Sequence, residues 1–516
     1  MQKKAVLILL AVGFIIYGSS LGNRFLLDDE SQVLQNELIH SPGNILTFFL
    51  GSTMNQEGAA LGGIYYKPIM SLCYSLLWWA SPDSPLIYHL FQLLIAIANA
   101  FLLWRLLRRH MDEKLALLMA LIFLAHPLNA EVVVYIADLQ DVLYMFFGLA
   151  ALNYLADGRW WAMTLLLGAS LLSKESGVLY LVTAVVYAAV FKREVWKRVA
   201  GISGGVMAIY AFLRFGVAHL TTLTHSQNQI GRADLDVRLL TAPKALASYL
   251  IKFVFPRDIT ATQDWVVATA SWSDFWMPLI LALSVLVISV WYAVRYWRQT
   301  GGSLTFAFFV FWVFMGMGFH SHILISLDGT VADRWFYFSS VGLIAILGLF
   351  IERSAWLDFP KMVTAIFIFW IVGLSARSYI RSLDWYDNFT LCYHDLQIFP
   401  DSYDMHNNLG VEYFRRGQVE DAEKEFRRSV DLAPGWDINW NNLGATYNRL
   451  GDTQKAEASY LKSMEHGTYY MAYENYATIL VQEGRVEEAK TFIREKALPM
   501  FPASKTLQTL WNLLNK

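Results

Sequence analysis

Long apolar stretches recur along the first three-quarters of the chain and then stop. A membrane-spanning helix needs roughly 20 mainly apolar residues. Eleven stretches approach that length: 5–21, 86–107, 113–129, 139–156, 160–173, 176–191, 199–216, 276–293, 303–319, 335–351 and 361–376. Between them, Lys and Arg fall at alternate connections: "MQKK" ahead of the first, then "WRLLRRHMDEK", "FKREVWKR", "VRYWRQ" and "ERSAWLDFPK". Basic connections mark the cytoplasmic side. The remaining connections (22–85, 130–138, Lys174–Glu175, 217–275, 320–334) and everything after 376 are then predicted to share the outer face. No small-residue cleavage site follows the first stretch, so it reads as an uncleaved anchor. "KALASYLIKFVFP" (244–256) is short and carries two lysines, which predicts a helix lying in the interface.

From about Arg377 the pattern turns polar with helical spacing. "NNLGVEYFRRGQVEDAEKEFRRSVDLAP" (407–434) aligns with "NNLGATYNRLGDTQKAEASYLKSMEHG" (441–467), and "NYATILVQEGRVEEAK" (475–490) is a third copy. Gly410 and Gly444, Gly417 and Gly451, and Ala422 and Ala456 are each 34 residues apart. Small residues at this period read as tetratricopeptide repeats, in which paired helices stack and present a groove to a peptide or protein. "WYDNFTLCYHDLQIFP" reads as a capping half-repeat. The predicted fold is all-α: a polytopic helical membrane domain (1–376), a connector with the half-repeat (377–401), and a repeat solenoid (402–516).

Composition agrees with this division. Of 516 residues, 56% are hydrophobic and only 16% charged, against about 25% charged in soluble domains. The net charge of −2 gives no basic footprint for nucleic acid. Cys73 and Cys392 form neither a CxxC motif nor a disulfide framework.

Charge beside a bilayer is expensive, yet the outer connections collect it. They hold Asp28, Asp29, Glu131, Asp138, Asp141, Lys174, Glu175, His320, His322, Asp328, Asp333 and Arg334. A scaffold that only recruits partners needs no such convergence, and a lipid-sugar transporter predicts paired repeats with charges at mid-membrane. His320 and His322, with acids nearby, have the composition of a divalent-metal site.

Several stretches carry a family likeness: "FLLDDESQVLQNELI" (25–39), "YYKPIMSLCYSL" (65–76), "HLFQLLIAIANAFLLWRLL" (89–107), "LAHPLNAEVVVYIADLQDVLYMFF" (124–147), "LLSKESGVLYL" (171–181) and "ADRWFYFSSVG" (332–342). With the repeats, they make the chain resemble the transmembrane and tetratricopeptide-repeat-containing protein O-mannosyltransferases of the GT-C superfamily. The family usually carries a Gly-Arg pair after "HPLNAE"; Asp138 and Leu139 stand there here.

The resemblance implies transfer of a sugar from a polyprenyl-phosphate donor to a hydroxyl of a protein acceptor held by the repeats. A glycan or lipid acceptor is the alternative. Asp28 and Asp29 are the candidate catalytic pair, one as general base and the other orienting it or the sugar. Against this stands a helix start, since Asp caps helices. Arg334, Lys174 and Lys67 are candidates for the donor phosphate, and Glu131, Asp141, Glu175, His320 and His322 for sugar or acceptor. No cofactor is expected; a divalent metal is the less favoured reading, because the related mannosyltransferases resemble metal-independent enzymes. The short array suits a bacterial member, with site and repeats on the periplasmic side of the inner membrane.

Overall fold

The computed structural model describes residues 2–53, 65–220, 228–300, 303–327, 329–352 and 360–515. Asp328 lies outside the described residues. All eleven predicted spans are helical. Seven helices are long and apolar enough to cross a membrane: Gln2–Gly22, Pro85–Leu107, Ile136–Ala156, Trp196–Val217, Trp272–Arg295, Asp333–Glu352 and Ala365–Asp384. Glu113–Ala125 and Pro127–Val134 add an eighth, bent by 58°. Pro127 explains the bend, because proline removes a backbone donor and pushes the residue before it out of helical geometry. The chain is an integral, multi-pass membrane protein.

Trp160–Ser173, Glu175–Phe191 and Leu304–Phe319 coincide with apolar stretches read from the sequence as spans, but they are too short to count among the full spans. A helix of 14 residues, such as Trp160–Ser173, is about 21 Å long, less than the roughly 30 Å hydrocarbon core. Two of them end at Lys174–Glu175 and one at His320, so these polar groups sit in a hollow on one face of the bundle. Pro68–Ala80 is a further apolar helix that the hydrophobic pattern did not single out as a span. The segment expected in the interface is the second half of the amphipathic helix Leu235–Val254, which is not among the candidate spans. Its inner face carries Tyr249 and Lys252, both buried, and Lys252 pairs with Asp333 at 2.8 Å.

Buried side-chain amides fix the helix ends. Gln92 Nε2 donates to the carbonyls of Val132 (2.7 Å) and Tyr135 (2.6 Å). The Tyr74 hydroxyl donates to the Ile136 carbonyl at 2.7 Å. These bonds satisfy the backbone of the broken segment 130–138, which could not otherwise leave helical geometry at this depth. A two-stranded antiparallel ladder, Thr262–Gln263 with Val331–Ala332, ties the loop after residue 254 to the loop that leads into Arg334.

The repeats form as the 34-residue period requires: Tyr403–Arg415 with Val419–Leu432, Asp437–Leu450 with Thr453–His466, and Tyr470–Gln482 with Val486–Phe492. Two glycine positions explain the period. A Cβ on Gly410 or Gly444 would approach the rings of Phe426 or Tyr460 to 2.8 Å, closer than real contacts allow. Gly417, Gly451 and Gly484 turn between paired helices at φ of 77°, 82° and 72°, where a side chain would be strained. The predicted boundary at 376 falls inside the helix Pro360–Asp384. The last membrane helix therefore runs on into the connector, where Arg381 pairs with Asp395 at 2.8 Å.

Candidate functional site

The stretch "FLLDDE" makes a tight turn between the first membrane helix and a single π-helical turn, Glu30–Leu34. Leu27 has φ of +43°, an uncommon conformation for a branched side chain that must be held by its surroundings. Its backbone N–H donates to Asn388 Oδ1 at 2.8 Å. The turn sends the adjacent aspartates in different directions. Asp29 points inward and is 0% exposed. Its two oxygens accept backbone N–H groups from Leu26 (2.9 Å) and Ala137 (2.7 Å). Burial raises its pKa, against the lowering effect of those two donors. Asp28 is exposed and lines two cavities at once. Its backbone N–H donates to the Tyr135 hydroxyl at 3.1 Å.

The first cavity, of about 300 Å³, lies within the membrane domain and is cationic. Lys67, Lys174, Arg214 and Arg334 line it. Each is held. Arg334 Nη1 donates to Glu131 Oε1 at 2.6 Å, and its backbone N–H to the other oxygen at 3.2 Å. Lys174 Nζ lies 2.7 Å from both oxygens of Asp141. Arg214 pairs with Glu175 at 2.8 Å. Lys67 Nζ sits 4.0 Å above the Tyr65 ring, and burial pushes its ammonium down to about 8. Held cations around one hollow suit an anion whose charge is spread over several oxygens.

The second cavity, of about 350 Å³, lies between the membrane domain and the first repeat. Glu30, Asp404 and Glu412 line it, as do Asn388, Asn408 and Trp436. Asp404 is pushed up to about 6 by burial and by the charge of Asp28. Asp28, Tyr135 and Arg334 face both hollows. The first repeat is fastened to the aspartate turn: Arg415 forms two 2.7 Å bonds to Glu30, and Asn388 Nδ2 donates to Glu412 Oε1 at 3.1 Å.

The structure thus gathers Asp28, Lys67, Lys174, Glu175, His320 and Arg334 around the first cavity, and Glu131 reaches the second. Asp141 and His322 line neither cavity. Asp141 is 1% exposed behind Lys174. His322 Nε2 donates to the Thr330 carbonyl at 2.8 Å and its Nδ1 accepts from Leu327 at 3.4 Å, which folds its own loop. His320 Nδ1 donates to the Gly316 carbonyl at 2.9 Å. Among the described residues no three His, Cys, Asp or Glu side chains are grouped to hold a metal ion. Sequence reasoning missed Arg214 and Tyr135. Arg214 was legible as the one basic residue in the last turn of its helix; Tyr135 carried no signal apart from its place in "VVVYIAD".

Residues 82–216 match the family described as dolichyl-phosphate-mannose-protein mannosyltransferase, and residues 403–435 and 439–465 match the tetratricopeptide repeat. A protein O-mannosyl-transferase of Caenorhabditis elegans is 23% identical over 455 residues, covering 84% of this chain and 63% of that protein. The protein O-mannosyl-transferase TMTC3 of Homo sapiens is 22% identical over 488 residues, covering 84% and 52%. The chain spans less than two thirds of the length of either relative. Among solved structures, it is similar to ArnT from Cupriavidus metallidurans bound to undecaprenyl phosphate, with a TM-score of 0.42, 12% identity, and coverage of 98% of this chain and 88% of that one. The resemblance read from the sequence is borne out: a segment that matches the mannosyltransferase family precedes segments that match the tetratricopeptide repeat, and these curated relatives are protein O-mannosyl-transferases.

Proposed function

We propose that this protein moves a mannosyl residue from a polyprenyl-phosphate donor to a hydroxyl of a protein acceptor. Asp28 is the general base in this reading. The observation that carries it is the position of Asp28 on the wall shared by a cationic cavity and an acidic one roofed by the first repeat. The donor phosphate sits among Lys67, Lys174, Arg214 and Arg334, with the anomeric carbon toward Asp28. The acceptor hydroxyl enters from the repeat side. Its proton passes to the Asp28 carboxylate as its oxygen bonds to the anomeric carbon. The bond from that carbon to the phosphate oxygen breaks, and polyprenyl phosphate leaves with the electron pair, its growing charge met by the held cations. The basic bias of alternate connections supports a site on the outer face of the membrane, periplasmic in a bacterium.

The test is transfer of labelled mannose from polyprenyl-phosphate mannose to surface proteins by the purified full chain. No transfer to any of them, with the donor recovered intact, would sink the reading. Within it, the repeat array, through Asn408 of the first repeat and Trp436 at the start of the second, is a wall of the acceptor site. Asn408→Ala and Trp436→Ala are each expected to raise the KM for the protein acceptor about fivefold or more, with donor affinity unchanged. An unchanged KM in both variants removes the repeat from acceptor binding.

Lys67 gives the donor site a pH dependence. Its pKa is about 8 in the free protein and rises when a phosphate dianion or monoanion binds beside it. The attraction is therefore fully present below pH 8 and is lost as pH rises through and above it. Affinity for bare polyprenyl phosphate should fall by up to about tenfold per pH unit between pH 8 and 10, while Lys67→Arg, charged throughout, should show a flatter profile. Identical profiles in the two proteins would exclude Lys67 from the phosphate site.

A further inference from the structure

The cationic cavity also carries buried oxygens that a phosphate, itself an acceptor, does not satisfy. Gln32, Asp138 and Gln140 line it, and they are 5%, 2% and 9% exposed. Gln32 Oε1, Asp138 Oδ2 and Gln140 Oε1 are buried without a hydrogen-bond partner. A buried acceptor left unpaired keeps its full desolvation cost, and native proteins rarely tolerate it without a reason. Here three such oxygens share one hollow.

Their chemistry selects the ligand. A phosphate ester offers oxygens that accept, so it satisfies none of these three oxygens, and the Asp138 carboxylate repels it. The cations on the same cavity already supply its donors. The part of a polyprenyl-phosphate sugar that carries O–H donors is the sugar. A hydroxyl both donates and accepts, so it satisfies a glutamine amide in either orientation and a carboxylate oxygen as well.

The three residues also share a frame with the base. Gln32 lies on the π-helical turn Glu30–Leu34 that follows Asp28. Gln140 lies in the first turn of the helix Leu139–Ala156, and Asp138 directly precedes that helix. The Asp29 carboxylate joins the two segments, bonding Leu26 on one and Ala137 on the other. Sugar wall and base therefore hold a fixed separation through one buried group.

We propose that Gln32, Asp138 and Gln140 form a sugar-recognition subsite that reads the hydroxyl groups of a neutral, hydroxyl-bearing donor sugar, beside the cations that take the phosphate, one of which, Arg334, lies 3.8 Å from the other oxygen of Asp138. This rests on the function proposed above. Four probes separate the contributions: polyprenyl phosphate alone, and its mannose, glucose and N-acetylglucosamine forms, each titrated against the full chain in nanodiscs. At least one sugar form should bind the native protein about tenfold or more tighter than bare lipid. Gln32→Leu and Gln140→Leu should each reduce that preference by about three- to tenfold and leave affinity for bare lipid unchanged. Asp138→Asn, which keeps the shape, should weaken the same preference.

Equal binding of all four lipids by the native protein overturns the subsite and leaves the transferase reading standing. A preference untouched in both leucine variants overturns it too, as does a loss that falls equally on bare lipid, since that effect is not on the sugar. Failure of the native protein to bind any of the four lipids would instead refute the proposed function.

Discussion

Asp28→Asn is expected to lower turnover by about 10²–10⁴-fold, the usual loss on removing a general base, with fold and donor affinity retained. Asparagine matches the size of aspartate but cannot take the acceptor proton. Asp28 is exposed, so water screens the loss of its charge and the fold feels little of it. Asp29→Asn forms the contrast. Both Asp29 oxygens accept backbone N–H groups, and the amide of asparagine would turn a donor toward one of them. That mismatch costs about 1–3 kcal/mol and loosens the turn that aims Asp28. The Asp29→Asn protein should therefore melt earlier and lose activity in step with its stability, whereas the Asp28→Asn protein melts like the native one and is nearly inactive. Thermal melts beside a transfer assay decide. Full activity in the Asp28→Asn protein would leave the acidic pair as the start of a helical turn and move the search for the base to Glu131, which lines the second cavity.

The difference between the two aspartates shows where sequence reasoning ends. The apolar periods place the helices, the 34-residue spacing places the repeats, and the crowding of polar residues into alternate connections points to a candidate site on one face. Each is a one-dimensional pattern with a direct physical cause. The choice between Asp28 and Asp29 depends on Leu27 at φ +43°, held by Asn388 from 361 residues away. No local pattern encodes that. Asp141 and Lys174 both looked like ligand-binding groups, but the carboxylate is spent on steadying the ammonium. Gln32 and Gln140 went unnoticed because uncharged amides near a helix start are ordinary, and only their burial without partners marks them. The repeats read as a separate module, yet Arg415 and Glu30 join the first of them to the aspartate turn.

The pair Arg334–Glu131 gives the other large effect. Arg334→Ala should reduce turnover by about 10²–10³-fold through loss of a donor aimed at the leaving phosphate. It should also destabilise the protein, because two buried carboxyl groups, Glu131 and Asp138, 3% and 2% exposed, lose the guanidinium they share at 2.6 and 3.8 Å. Breaking a buried pair from one side costs about 3–5 kcal/mol. The two effects can be pulled apart by removing the stranded charge as well. In Arg334→Ala/Glu131→Gln the neutral amide needs no cation and can still accept the backbone N–H of position 334, which Glu131 Oε2 holds at 3.2 Å in the native protein, so the share of the lost stability that belongs to Glu131 should return, while Asp138 still lacks its 3.8 Å partner. Turnover should not, since nothing in the double variant replaces the guanidinium over the phosphate. Recovery of turnover together with melting temperature would make Arg334 a structural counter-ion for Glu131, and the phosphate would then rest on Lys67, Lys174 and Arg214 alone.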